Sequence, residues 1–281
     1  CRFCGSSKLA RILDFGNVPL AGGFIKEAQF QEEKLYPLKV HFCEDCTLVQ
    51  VNNAIPPETL FKDYFYFSSA IKTLVDHCAT WAKDTYDRFL KDRPNPSVFE
   101  IGCNDGVMLR PFAALGVKAV GVDPATNVVR SVKQEGFTII NDFFNEDVAK
   151  RIRAEYGQFD AITSSYSFAH IDDMVSVGKG VVELLKDDGV FICEVYYLGT
   201  LMEEMQYDMI YHEHCNYYSL KALQNFLRLN GMEIFDVQFT TGVRSGATRF
   251  FVRKIGGRSE SVSEAVKKME QDERILGYDT K

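Results

Sequence analysis

A chain of 281 residues with 46% apolar content can bury one full α/β core and a small satellite module. Its formal charge of −7 argues against a nucleic-acid polyanion as the main partner. No run approaches the roughly 18 apolar residues of a membrane span, and no signal-peptide pattern opens the chain.

Eight cysteines are present, and half of them form two Cys-x-x-Cys pairs. That usage fits a reducing, cytoplasmic setting and a bound metal better than a stapled secreted fold. Cys1-x-x-Cys4 and Cys43-x-x-Cys46 stand 38 residues apart. Four thiolates on two tight knuckles close a tetrahedral shell, which predicts a structural Zn²⁺ held by Cys1, Cys4, Cys43 and Cys46 in a module spanning residues 1–56. The gap exceeds the usual zinc-ribbon spacing and holds loop-like Gly16, Pro19 and Gly22-Gly23, so it reads as an insertion. Two unrelated thiol pairs, or a redox couple, are one alternative, and a DNA-binding zinc ribbon is another, against which the segment lacks a dense basic patch. The chain opens at Cys1 without a methionine, so an excerpt or a processed product is expected, with more protein following.

Residues 57–255 read as the core. Its entry, Leu60–His77, is rich in aromatics that either pack or face a ligand. Tyr64, Tyr66, Ser68 and Ser69 place four hydroxyls ahead of the first core strand. From residue 97, short apolar runs alternate with amphipathic stretches. Strands are expected at Ser97–Gly102, Val117–Val122, Phe137–Ile140, Phe159–Ser164 and Val190–Val195. Helices are expected at Val107–Leu115, Asn127–Glu135, Glu146–Glu155 and Val175–Leu185. This is the βαβ repetition of an α/β doubly wound sheet, whose ligands sit beyond the carboxyl ends of the strands.

Gly102 and Gly106 flank Cys103-Asn104-Asp105 after the first core strand and let backbone approach a nucleoside. Asp123 ends the second strand, where a carboxylate can accept both ribose hydroxyls. The full Gly-x-Gly-x-x-Gly of a pyrophosphate site is absent. Glu100, Asn104 and Asp105 instead suit a ligand with a cationic amino group, so S-adenosylmethionine fits better than NAD. Asp142 and Phe143 follow the third strand and are expected at the adenine, with ordinary loop residues as the alternative. Ser69 is grouped with the cofactor contacts.

The cluster Tyr211-His212-Glu213-His214-Cys215-Asn216-Tyr217-Tyr218-Ser219 concentrates imidazole, carboxylate and phenol groups. Imidazole titrates near neutral pH and can take and return protons. Ser219–Asn230, followed by Gly231, reads as a capped helix. A metal on His212 and His214 lacks a third ligand of suitable spacing. His41 and His77 read as structural or first-helix residues, with a place near the cofactor carboxylate as the alternative for His77, and Cys78, Cys103, Cys193 and Cys215 read as buried apolar residues. Residues 256–281 include a charged, helix-like stretch at 261–274 and read as the start of a further, truncated domain.

With Tyr64-Phe65-Tyr66-Phe67-Ser68-Ser69, Glu100–Gly106, His170-Ile171-Asp172-Asp173, Tyr211-His212-Glu213-His214 and the four cysteines, the chain resembles the zinc-containing, S-adenosylmethionine-dependent sugar C-methyltransferases. The resemblance covers nearly the whole chain. It implies a class I methyltransferase-type core acting on a nucleotide-linked 4-keto-6-deoxy sugar. It departs from the family at Thr240–Gly246, where His-Gly-Gly-Ser is expected. Carbon methylation requires removal of a proton next to a ketone and stabilisation of the enolate. His214 is the expected base, with Glu213 and Tyr211 orienting it or donating to the oxygen, and His170 stabilising the enolate or relaying a proton. Tyr64, Tyr66 and His212 are the expected substrate contacts, and a monomer is expected. An O- or N-methyltransferase of a small metabolite, a non-catalytic zinc and S-adenosylmethionine scaffold, and an NAD-linked epimerase or dehydratase are the competing readings.

Overall fold

Each apolar run expected as a strand between residues 97 and 195 falls within one sheet. The computed structural model describes residues 1–22, 24–52, 55–240 and 246–278. The chain begins with β1 (Leu9–Val18), β2 (Tyr36–Cys43) and β3 (Val49–Val51), then α1 (Pro57–Phe61) and α2 (Lys72–Thr85). The alternating region follows as β4 (Ser97–Ile101), α3 (Leu109–Ala114), β5 (Lys118–Val122), α4 (Thr126–Ser131), β6 (Phe137–Ile140), α5 (Glu146–Tyr156), β7 (Phe159–Ser165), α6 (Met174–Leu184) and β8 (Leu185–Tyr196). After it come α7 (Leu198–Glu203), β9 (Asn216–Tyr217), α8 (Leu220–Leu229), β10 (Met232–Thr240), β11 (Ala247–Lys254) and α9 (Glu264–Leu276).

The main sheet runs β10-β11-β8-β7-β4-β5-β6. The β6-β5-β4-β7-β8 part is parallel, and β11 is antiparallel to both β8 and β10. Parallel strands are covered by helices on both faces, which is why β4 is buried along its whole length. Successive side chains alternate between the two faces. Phe99, Ile101, Val120 and Val122 enter one apolar cluster with α5, α6, α8 and α9. Val98, Ala119, Ala161 and Ile192 enter a second cluster with α2 and α3. Helix starts follow the capping residues: Asn145, Asp173, Ser219 and Ser263 each accept a backbone N–H three residues on. The helix expected at Ser219–Asn230 is α8, and the stretch expected at 261–274 contains α9, whose Val266 and Met269 join the first cluster. Strand order reverses at β4, between β5 and β7, and that reversal is the crevice where ligands of such sheets bind.

A second sheet, β1-β2-β3-β9, was not legible in the sequence. Its last strand comes from the core, with Val49 opposite Tyr217 and Gln50 opposite Asn216. Phe3, Cys43, Cys46 and Leu48 share the first core cluster. The cysteine module is therefore built onto the core rather than tethered to it. Residues 241–245 of the expected departure at Thr240–Gly246 lie outside the described residues.

Candidate active site

A cavity of about 700 Å³ opens at the strand reversal. Its floor is the turn after β4. Gly102 and Gly106 have φ of +71° and +78°, in the left-handed region that glycine adopts without strain. A Cβ on Gly102 would run into Ser167 Oγ, and one on Gly106 would lie 2.8 Å from the Phe137 ring. Asp123 accepts hydrogen bonds from the amides of Asn104 at 2.7 Å and Ala125 at 2.9 Å while lining the cavity. Burial nonetheless raises its pKa.

Glu100 also lines the cavity, at 1% exposure, and among the described residues its Oε2 has no hydrogen-bond partner. Burial, then the nearby Asp123 and Asp105, hold its pKa well above the ordinary value. A buried carboxylate oxygen without a donor is an acceptor waiting for a cation or a proton. The amino group of S-adenosylmethionine has that chemistry, so the residues present fit the donor.

The aromatic segment before α2 is strapped onto this turn. Asn104, itself left-handed at φ 49°, accepts from the Ser68 amide at 2.9 Å and donates to the Tyr66 carbonyl at 3.0 Å. Asp105 accepts from the Ser69 amide at 3.1 Å and from the Ser69 hydroxyl. Ser69 is thus tied to Asp105, outside the cavity wall, and Ser68 takes a place on the wall. Asn127 holds the Tyr64 backbone through bonds of 2.9 and 2.7 Å. Tyr64 and Tyr66 line the cavity, and the Tyr64 hydroxyl donates to Glu213 Oε2 at 3.4 Å. Burial, followed by the Glu213 charge, raises the Tyr64 pKa, and burial raises that of Glu213.

The 211–214 cluster divides by direction. Tyr211 and Glu213 face the cavity, as does His170. His214 lies behind Tyr211 at 2% exposure and is not part of the described cavity wall. Its Nδ1 sits 2.9 Å from the Met209 carbonyl, which can only accept, so Nδ1 carries the proton. In the neutral ring Nε2 is then an acceptor, and the Tyr211 hydroxyl donates to it at 2.8 Å. His170 Nδ1 donates to the Glu213 carbonyl at 3.0 Å, and its ring lies 4.9 Å from that of His214. His212 points the other way. It is 1% exposed, edge-on to Tyr36 of β2, burial lowers its pKa, and it is not among the residues that line the described cavity.

Asp142 and Phe143 both line the cavity. The Asp142 carboxylate accepts from the Phe143 amide at 2.9 Å and pairs with Arg151, so any adenine contact shares it with that guanidinium. Tyr166 and Ser167 are wall residues that sequence reasoning left out, and Phe61 and Asp172 are wall residues that it quoted within longer stretches without giving them a role. Tyr166 is left-handed at φ 59° at the end of β7, and Ser165-Tyr166-Ser167 at a strand's carboxyl end was the available signal. His77 takes a structural place: its Nε2 lies 2.6 Å from Glu194, which also binds the Arg249 guanidinium at 2.9 Å.

At the other end of the module, the sulfurs of Cys1, Cys4, Cys43 and Cys46 lie within 4.8 Å of one another. Tetrahedral Zn–S bonds of about 2.3 Å require sulfurs roughly 3.8 Å apart. The Cys1–Cys46 and Cys4–Cys43 separations are 3.4 and 3.7 Å. The donor set fits zinc. Burial pushes the Cys43 thiol up, but the knuckle amides of Cys46 and Asp45 outweigh it and hold it below its ordinary value.

Residues 76–237 match the family model described as "Methyltransferase domain". The chain belongs to the methyltransferase family. Residues 1–61 match a second model, described as "Putative zinc binding domain". The methyltransferase is 34% identical over 279 residues to the C-methyltransferase NovU of Streptomyces niveus, covering 99% of this chain. It spans 66% of that relative's length. Similarity to the ubiquinone biosynthesis O-methyltransferase of Roseobacter denitrificans is 25% over 180 residues, 58% of this chain and 71% of the relative. The structure of magnesium protoporphyrin IX methyltransferase from Synechocystis PCC 6803 aligns with a TM-score of 0.47 at 15% identity, covering 64% of this chain and 81% of that one. The enzyme is an S-adenosylmethionine-dependent methyltransferase with a class I fold and a four-cysteine zinc module. No helix among the described residues is long and apolar enough to cross a membrane.

Proposed function

We propose that this methyltransferase adds a methyl group to the carbon next to the ketone of a nucleotide-linked 4-keto-6-deoxy sugar. The observation that carries the reading is the Tyr211–His214 pair, a phenol on the cavity wall hydrogen-bonded at 2.8 Å to an imidazole whose other nitrogen is held by Met209. A cofactor site alone suffices for methylating an oxygen that already has lone pairs. A ketone carbon needs a base, and this pair supplies one. The similarity to NovU, a C-methyltransferase, supports the same reading.

S-adenosylmethionine, when bound, supplies the electrophilic methyl group. The protein's own part is proton transfer and charge stabilisation. The carbon-bound proton passes to the Tyr211 oxygen as the Tyr211 hydroxyl proton passes to His214 Nε2. The resulting imidazolium keeps its Nδ1–H bond to Met209. The enolate oxygen then needs a donor on the wall: His170 supplies one from Nε2 when its ring is protonated, since Nδ1–H is held by the Glu213 carbonyl, and Tyr64 supplies one by turning its hydroxyl from Glu213 to the substrate. Glu213 holds Tyr64 and carries the acceptor for a sugar hydroxyl. His214 thereby acts as the base through Tyr211.

Seven carboxylate residues and no Lys or Arg line the described cavity. A diphosphate would find no cationic partner there, so the cavity suits the sugar ring and the methyl donor, with the nucleotide lying outside it.

With S-adenosylhomocysteine in place of the donor, substrate in D₂O should exchange its proton next to the ketone. His214→Ala and Tyr211→Phe should each lose exchange and methylation together, by about 10²–10⁴ in rate. A product whose NMR spectrum places the new methyl on oxygen would sink this reading.

A further inference from the structure

The segment between the first two zinc ligands does more than close a knuckle. Arg2 stands between Cys1 and Cys4, and its side chain is only 9% exposed. Its guanidinium leaves the module and pairs with Asp172, a residue of the cavity wall 170 positions away. The same guanidinium donates to the Val51 carbonyl at 2.5 Å and to Gln50 Oε1 at 3.2 Å, and the Arg2 amide donates to that Gln50 oxygen as well.

Gln50 and Val51 are the residues to which the catalytic segment is stitched. Gln50 pairs with Asn216 across β3 and β9, and the Val51 amide donates to the Cys215 carbonyl at 3.0 Å. The Cys215 amide in turn donates to Ala169 at 2.7 Å, and Asn216 Nδ2 donates to Ile171 at 2.8 Å. One buried cation therefore sits at the crossing of three strands of chain: the knuckle, β3, and the His170–Asp173 turn.

We propose that Arg2 is a positioning residue for methyl transfer, fixing Asp172 and the His170 turn against the Tyr211–His214 segment. Planar guanidinium geometry lets it hold a carboxylate, a carbonyl and an amide oxygen at fixed mutual angles, which a lysine ammonium does not. The thiolate knuckle fixes the backbone on either side of it. In this arrangement the cysteine module sets the geometry of the catalytic wall. The inference requires transfer to take place in this cavity but not that the acceptor be carbon, so it stands or falls apart from the substrate assignment.

Arg2→Gln, checked for one zinc per chain, should lower kcat by about tenfold to a hundredfold, the scale of a misplaced reacting group. Affinity for S-adenosylhomocysteine should stay within about twofold, because the Glu100 and Asp123 side of the cavity is untouched. Amide hydrogen exchange should quicken in residues 169–175 and 211–217 and stay unchanged in β4 and β5. A merely module-stabilising arginine would leave 169–175 as in the wild type, and that result overturns the proposal. If Arg2→Gln loses zinc, Asp172→Asn decides from the core side with the knuckle intact. It should give the same exchange pattern and a similar fall in kcat, and wild-type exchange and kcat would refute the coupling. In the double variant the two losses should not add, whereas full additivity in the logarithm of kcat would show that the residues act separately.

Discussion

Replacing Glu100 with Gln separates what the cofactor site does for binding from what it does to the fold. The side chain is 1% exposed, and its Oε2 has no donor among the described residues. Burial is the main reason its pKa stands well above 4.5, with Asp123 and Asp105 adding to it. Glu100→Gln keeps the volume but removes the acceptor's charge. Losing one hydrogen bond to a charged group costs about 1.5–3 kcal/mol, or about tenfold to 150-fold in affinity for S-adenosylhomocysteine, which retains the amino group. Stability should move the other way. Because the folded pKa is raised, the folded enzyme keeps this proton after the unfolded chain has released it. Stability from this group therefore falls as pH rises from 4.5 toward the folded value. A glutamine has no proton to lose, so the ligand-free variant should melt at or above the wild-type temperature at pH 7. In calorimetric titration in buffers of different ionisation enthalpy, any proton release on binding should be smaller in the variant than in the wild type. Wild-type affinity in Glu100→Gln would refute the assignment of the amino group to this carboxylate.

Two further outcomes concern the frame around the site. Glu273 of α9 is 2% exposed and accepts from the amides of Leu220 and Lys221, at 2.5 and 2.9 Å, and from the Tyr197 hydroxyl at 3.0 Å. Glu273→Ala strips the α8 N-terminus of this carboxylate and should lower unfolding stability by about 3 kcal/mol or more in urea, at about 1–3 kcal/mol per stranded donor. A loss under about 1 kcal/mol would mean that α9 is not a structural part of the core. For Glu194, burial alone would raise the pKa, but His77 and Arg249 overcome it and hold the carboxyl below 4.5. Its contribution is thus complete above pH 4.5 and is lost as pH falls through the folded value. Glu194→Gln should flatten the acid limb of stability below that pH, and an unchanged limb would point to other carboxylates.

The sequence by itself determined what is local or periodic. Alternating apolar runs and amphipathic stretches between residues 97 and 196 locate the parallel strands and their helices, because period-2 and period-3.6 patterns follow from backbone geometry. Paired Cys-x-x-Cys knuckles announce the metal, because each knuckle carries its own turn. Gly102 and Gly106 mark a turn that only backbone without Cβ can make. Nothing local decided which members of the 211–214 cluster face the cavity. That segment is irregular, so side-chain direction depends on what packs against it. Tyr36 of β2 claims His212, Met209 turns His214 inward, and Tyr64 and the cavity receive Glu213 and Tyr211. The same holds for Ser69, drawn to Asp105, and for Asp142, drawn to Arg151. The pairing of β3 with β9 and the reach of Arg2 to Asp172 join residues some 170 positions apart. Such contacts depend on the packing of whole elements, and only the tertiary structure decided them.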